Sequence, residues 1–307
     1  MNRSTYHQEI IQIDDRTIQA ECGPMRLTIQ AFKTGKPQLS LARMAARTAF
    51  SYLESIAGYH KDLCRPAREV TFLPDDCLAR QMTDNARSIG DDDLTPMAAV
   101  AGTLADAVAD WIYRHGASKV VINNGGDIAI RLAGSESVTV GIRTDIRRPE
   151  VAYVLDLDTT REAWGVTTSG FGGRSFTRGI ASAVTVVADR ASIADAAATA
   201  IANACTVTDA AITRKPAGDL DPATDIPDID VTVSIGPLSP EKKQMALNRA
   251  LEKATVLIRK KRIIGALLAI DEENVIASGL QSFLRSIDNN SRNHRYSAEE
   301  PVFANCP

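Results

Sequence analysis

At 307 residues the chain can form one large domain or two, and it is long enough to bury a full core. Its 44% hydrophobic and 24% charged residues suit a globular enzyme, while 5% aromatic content and a formal net charge of −3 exclude a base-stacking strand binder and broad affinity for nucleic acid or anionic membranes. A small-molecule partner is the expectation that is left.

The segment from Met1 to Glu9 lacks the apolar stretch of a signal peptide, and no uncharged run approaches the ~18 residues that cross a bilayer, so a cytoplasmic location without membrane contact is expected. Ile10 to Ile13, Thr17 to Cys22 and Met25 to Phe32 alternate apolar and polar residues around two turns, which predicts an antiparallel meander. From Leu39 to Ile56 apolar residues recur at helical spacing, with Leu41, Met44, Ala45, Phe50, Leu53 and Ile56 on or near one face. A loop rich in Pro and Asp follows as far as Asp91-Asp92-Asp93, an acidic run read as structural. Thr95 then offers an N-cap, and Pro96 a first-turn proline, for an Ala-rich helix ending at Gly116.

Strands are expected at Lys119 to Ile122, Ile128 to Leu132, Val138 to Ile142, Val151 to Leu157 and Ala181 to Ala188, followed by a helix from about Ile193 to Cys205. After a polar loop from Thr213 to Pro227 come a strand at Ile229 to Ile235, a helix opening at Ser239-Pro240-Glu241, and strands at Ile263 to Ile270 and Val275 to Ala277. The pattern is α+β, with long helices on a mainly antiparallel or mixed sheet. We read residues 1–285 as a single domain and 286–307 as a disordered polar tail. The five cysteines, Cys22, Cys64, Cys77, Cys205 and Cys306, show no Cys-x-x-Cys spacing and read as buried or incidental thiols. The histidines are isolated in sequence, so no zinc site is expected.

Three segments carry the candidate chemistry. Asn123-Asn124-Gly125-Gly126-Asp127 is a turn whose glycines let the backbone approach a ligand, with Asn124 and Asp127 free to hydrogen-bond it. It reads equally as a plain strand-to-strand turn. Thr167-Thr168-Ser169-Gly170, with Gly172-Gly173-Arg174, is a second small-residue turn, suited either to cradling a phosphate with Arg174 or to forming a loop. In the helix, Asp195 and Thr199 lie four apart, so a carboxylate and a hydroxyl share a face and can ligate a hard cation through oxygen. The alternative is that Ser192 caps the helix and Asp195 completes a capping box. Arg143 and Asp145 are candidates for a pocket rim, though solvated surface charge is the preferred reading.

The order of these segments, and above all the run Ser182-Ala-Val-Thr-Val-Val-Ala-Asp-Arg-Ala-Ser-Ile-Ala-Asp-Ala-Ala-Ala-Thr199, resembles the ApbE family of FAD:protein FMN transferases from about Pro24 to Ala204. The chain looks like a shortened, divergent branch. It has Ala101-Gly102 where the family usually has a lysine before glycine, and it passes directly from Gly172–Arg178 to Gly179-Ile180 where the family has a His-x-x-Asp-Pro loop. The resemblance implies an ApbE-like α+β fold, Mg2+ held by Asp195 and Thr199, and FAD as substrate or ligand. It further implies nucleotide contacts from Asn124, Gly125, Gly126, Asp127, Thr168, Gly170 and Arg174, with Asp195 and Ser169 as the catalytic candidates. The implied activity is FAD pyrophosphate cleavage or FMN transfer to a protein Thr or Ser. The alternatives are a non-catalytic flavin- or pterin-binding protein, or a cofactor-biosynthesis enzyme that reuses the site. The expected partners are a nucleotide or flavin and an acceptor protein; a homodimer stays open.

Overall fold

A computed structural model describes residues 6–71, 73–75, 77–145, 148–287 and 302–303. Strands β1 (Gln8–Gln12), β2 (Thr17–Cys22) and β3 (Met25–Lys33) form the expected meander, and the short β4 (Lys36–Pro37) folds back on β3. Helix α1 (Leu39–Ala57) follows, but its buried face is Ala42, Ala45, Ala46, Ala49, Phe50 and Ile56, while Met44 is exposed. Small alanines allow the closer helix approach, which moves the seam away from the larger side chains.

A short helix α2 (His60–Leu63) leads into the Pro- and Asp-rich stretch expected as loop, which contains helix α3 (Leu78–Ile89). Its buried face is Ala79, Met82, Thr83, Ala86 and Ile89, too sparse in large apolar residues to stand out in sequence. The three acidic residues after it each pair with a cation: Asp91 with Lys253 at 3.7 Å, Asp92 with Arg68 at 3.2 Å and Asp93 with Arg178 at 3.1 Å.

Helix α4 (Val100–Arg114) follows a single 3-10 turn at Pro96–Ala99. Thr95 makes no cap bond; its hydroxyl donates to the Asp225 carboxylate instead. Next come β5 (Lys119–Asn124), β6 (Asp127–Leu132), β7 (Val138–Ile142), β8 (Tyr153–Leu157), β9 (Ala163–Ser169) and β10 (Ala183–Ala188). Helix α5 (Ala191–Ala204), β11 (Ile212–Pro216), β12 (Asp230–Ile235), α6 (Pro240–Arg259), β13 (Gly265–Ile270) and β14 (Glu273–Ile276) then complete the main body. Ser239 caps α6 by accepting from Lys242 N–H, as its sequence implies.

The main sheet runs β1-β2-β3-β5-β6-β9-β10-β13-β14, with every pairing antiparallel. One face packs on helices α1, α4, α5 and α6. The other face, with Ile128, Ile130, Trp164 and Val166, packs against Val138, Val140, Leu155 and Leu157 of β7 and β8. Strand β15 (Leu284–Ser286) extends β8, and β16 (Val302–Phe303) pairs parallel with β7. The architecture is α+β, as expected. Ser286, placed at the head of the expected tail, instead ends a strand, and Ile287 N–H donates to Ala152 O at 2.9 Å. The rest of that tail, apart from 302–303, lies outside the described residues, as do residues 1–5.

Candidate functional site

The β5–β6 hairpin closes on Gly125 and Gly126, whose φ angles of +65° and +112° are open to glycine and costly for other residues. Asn123 Oδ1 accepts from Gly126 N–H at 2.8 Å and fixes the turn, and Asn124 Nδ2 donates to Ala101 O at 3.1 Å, tying it to the start of α4. Asp127 opens β6 on the helix-facing side. Arg174 lies over Gly125 and donates to Pro24 O at 2.6 Å, so it bridges the glycine turn and the β2–β3 turn.

Helices α4 and α5 cross where Gly102 meets Ala191. A Cβ at Gly102 would overlap the Ala191 carbonyl and the Ser192 nitrogen, so glycine sets the distance between the two helices. At this crossing each helix start is satisfied by a carboxylate of the other. Gly102 N–H donates to Asp195 Oδ2 at 2.9 Å, while Ser192 N–H and Oγ–H donate to Asp106 Oδ2 at 2.9 and 2.8 Å. Ser192 is therefore neither an N-cap nor half of a capping box; Arg190 stands at the cap position.

Asp195 sits on α5 at the start of a partly exposed stripe, Asp195, Thr199 and Asn203, on a helix whose other residues are mostly buried alanines. Asn203 Oδ1 accepts from Arg178 N–H at 3.0 Å, so it holds the 177–179 loop and leaves Asp195 and Thr199 as the open pair. Burial and the charge of Asp127 push the Asp195 carboxyl well above its ordinary range, against the opposing pull of the Gly102 and Ala101 amides. Burial raises Asp127 from 3.8 to about 7, and Arg174 acts the other way. Two carboxylates are thus held close in a site that favours neutralising them, with a proton or with a cation. The donors are all oxygens, which fits a hard divalent ion. Among the described residues no three His, Cys, Asp or Glu side chains cluster, so a cation here would draw its other ligands from hydroxyls, backbone, water or substrate oxygens.

This pair gives a pH prediction. A carboxyl whose folded pKa lies above its unfolded value binds more protons in the native state between the two, so the stability it confers is present at low pH and lost as pH rises. For Asp127 that window runs from 3.8 to about 7. In metal-free buffer the protein is expected to lose up to about 1.4 kcal/mol per pH unit there for that proton, and Asp127→Asn to flatten the slope. Urea unfolding across the window, wild type against variant, measures it; parallel slopes would contradict the assignment.

The second small-residue segment is not a turn throughout. Thr167, Thr168 and Ser169 belong to β9, where alternation sends Thr168 to the face away from the helices, and its hydroxyl bonds Thr185 Oγ1 at 2.8 Å. Ser169 shares the helix-facing side with Thr167. Gly170 begins the connection to β10, held by Phe171 N–H donating to Ala181 O at 2.7 Å. The structure therefore brings Asn124, Gly125, Gly126, Asp127, Ser169, Arg174, Asp195 and Thr199 to one end of the central strands and places the Thr168 hydroxyl outside the group. Asp145, read as solvated, is buried and lies 3.8 Å from Arg148.

Behind the site lies a buried charge network that sequence reading missed. Arg131, on the helix-facing side of β6, donates to Asp106 Oδ1 at 2.8 Å and Asp110 Oδ1 at 2.7 Å. Arg190 donates to Asp110 Oδ2 at 2.6 Å and stands 3.4 Å from Asp106. Burial alone would raise the Asp110 carboxyl, but the two guanidinium groups hold it below the ordinary range. A detectable signal was present: an arginine within Ile128–Leu132 and acids four apart on an apolar helix require partners.

Together, fold and site define an α+β protein with a carboxylate-lined, oxygen-rich site at one end of its central strands, where a glycine hairpin meets two helix starts. The family described as AbpE bacteria matches residues 9–276, and the chain belongs to that ApbE-like family as a divergent member. A UPF0280 protein of Methanopyrus kandleri is 37% identical over 139 residues, covering 43% of this chain and 50% of the relative. One from Methanosarcina acetivorans is 31% identical over 181 residues, 56% and 67% of the two chains. The chain thus spans about half the length of the first of these relatives and two thirds of the second. Among solved structures, apo flavinyl transferase ApbE of Pseudomonas stutzeri aligns over 92% of this chain and 98% of its own, with TM-score 0.49 and 13% identity. Among the described residues no helix is long and apolar enough to cross a membrane.

Proposed function

We propose that the protein is a Mg2+-dependent enzyme that acts on FAD, either opening its pyrophosphate or passing FMN to a threonine or serine of an acceptor protein. The observation that carries this reading is the pair Asp127 and Asp195, two carboxyls held together and pushed toward neutrality at the edge where the glycine hairpin opens. Asp195 and Thr199 would hold the cation, with Asp127 facing it. Such a cation supplies charge neutralisation for pyrophosphate oxygens and for a departing AMP.

The chain's own groups have separate tasks. The backbone at Gly125 and Gly126 admits close approach of the nucleotide, and Asn124 and Asp127 orient the hairpin toward it. Arg174 brings positive charge beside that turn, and the Ser169 hydroxyl stands at the adjacent strand end as a donor to phosphate. A cytoplasmic setting and an acceptor protein belong to this proposal as well.

One observation favours a second reading, a cofactor-binding protein without turnover. Where the family lysine would stand, Ala101 contributes only backbone, accepting from Asn124 and donating to Asp195. Incubation with FAD and Mg2+, followed by chromatography of FMN and AMP, separates the two. AMP release supports the enzyme; saturable FAD binding without AMP supports the binding protein; neither removes the flavin reading.

A further inference from the structure

Thr167 is fully buried, and among the described residues its hydroxyl finds no hydrogen-bond partner. An unpaired buried hydroxyl is costly, and a valine of the same shape would avoid the cost. Its place in the fold accounts for it. The β6–β9 pairing ends at Ile128 opposite Val166, and strand alternation turns the next residue of each strand, Asp127 and Thr167, to the helix-facing side beyond that pair. Helix α5 lies on the same face. Its first residue, Ala191, presses on Gly165, and its last turn meets the chain again at Ile180, whose N–H donates to Cys205 O at 2.8 Å. The helix therefore runs in the same sense as β9. Two residues of strand advance about 6.6 Å and four residues of helix about 6 Å, so the step from Gly165 to Thr167 matches the step from Ala191 to Asp195. This matched advance puts Thr167 at the level of Asp195 on the face that α5 covers, the face that Asp127 shares.

We propose that the Thr167 hydroxyl is a third protein oxygen of this site, a cation ligand on the inner side that completes the set formed with Asp195 and Thr199. This inference rests on the metal reading given above and adds a residue to it. Strand alternation explains why Thr167, rather than its neighbour Thr168, has the role: the Thr168 hydroxyl faces the opposite side and is taken by Thr185. A threonine ligand is neutral, so it adds coordination without adding to the repulsion between the two carboxylates.

The test is titration of Mg2+ into metal-free full-length wild type, Thr167→Val and Thr167→Ser by calorimetry, with melting temperatures taken without metal and in excess Mg2+. The proposal expects Thr167→Val to bind Mg2+ at least about tenfold more weakly and to melt higher than wild type without metal, because an unpartnered hydroxyl has been removed. It expects Thr167→Ser to stay near wild type in affinity. Equal Mg2+ affinity in wild type and Thr167→Val would overturn this inference and leave the Asp195–Thr199 site standing. A lower metal-free melting temperature for Thr167→Val would also overturn it, by making the hydroxyl a structural buttress. Absence of Mg2+ binding in wild type would remove the metal reading itself and this inference with it.

Discussion

Replacing Arg131 with methionine is expected to cost about 3–5 kcal/mol of stability. The Arg131 side chain is 3% exposed and holds Asp106, equally buried, and Asp110 through bonds of 2.8 and 2.7 Å. Methionine fills the volume but leaves both carboxylates to Arg190, which reaches Asp106 only at 3.4 Å. The cost is that of uncompensated buried charge, so it should shrink when the partners are also made apolar. Arg131→Met combined with Asp106→Leu and Asp110→Leu is expected to recover much of the loss, although Ser192 then loses its acceptor. Urea unfolding measures both variants; a loss below about 1 kcal/mol for Arg131→Met would mean the network is worth no more than surface pairs. Because the network joins α4, β6 and the start of α5, it also fixes Gly102, Asp127 and Asp195 relative to one another.

Asp195→Asn is expected to abolish Mg2+-dependent turnover, by about a thousandfold or more, while leaving the fold intact. On the proposed function Asp195 would hold a cation that supplies several kcal/mol of transition-state charge stabilisation, and each 1.4 kcal/mol or so is about tenfold in rate. Asparagine keeps an oxygen to accept from Gly102 N–H and removes the repulsion with Asp127, so the metal-free variant should melt at or above the wild-type temperature. The alternative, in which Asp195 serves only to cap α4, predicts the opposite pattern: a modest change in stability and unchanged turnover. Circular dichroism melting beside the rate assay distinguishes the two.

Much of the fold could be read from the chain because local signals agreed with tertiary demands. The meander from Ile10 to Phe32 and the Ser239-capped α6 combine periodicity with turn or cap chemistry at the ends, while the Ser182 to Thr199 strand and helix stand out as an apolar run followed by an Ala-rich one. Helix α3 was hidden because its buried face relies on Ala79, Thr83 and Ala86 and it lies between proline- and aspartate-rich stretches. In sequence the run Thr167-Thr168-Ser169-Gly170 reads as a turn and Gly165 breaks the apolar stretch before it, so β9 does not stand out as a strand. Gly165 is there because α5 presses on it, a tertiary reason with no local trace.

The site divides in the same way. Asp127, Asp195 and Thr199 were visible as motif residues, since spacing alone puts Asp195 and Thr199 on one helix face. The role of Asp195 as an acceptor for the start of α4 was not visible, because Gly102 is 93 residues away. Thr167 was passed over in favour of Thr168, because only the strand assignment of β9 decides which of the two hydroxyls faces the helices.

The proposed function puts metal-dependent chemistry on a flavin dinucleotide at the Asp127–Asp195 pair. Its test is AMP formation from FAD as Mg2+ is raised from zero, in wild type and Asp195→Asn side by side. Wild type is expected to form AMP with a saturable dependence on Mg2+, and the variant to form none. AMP formation that proceeds equally in Asp195→Asn, or none in wild type at saturating Mg2+, would contradict it.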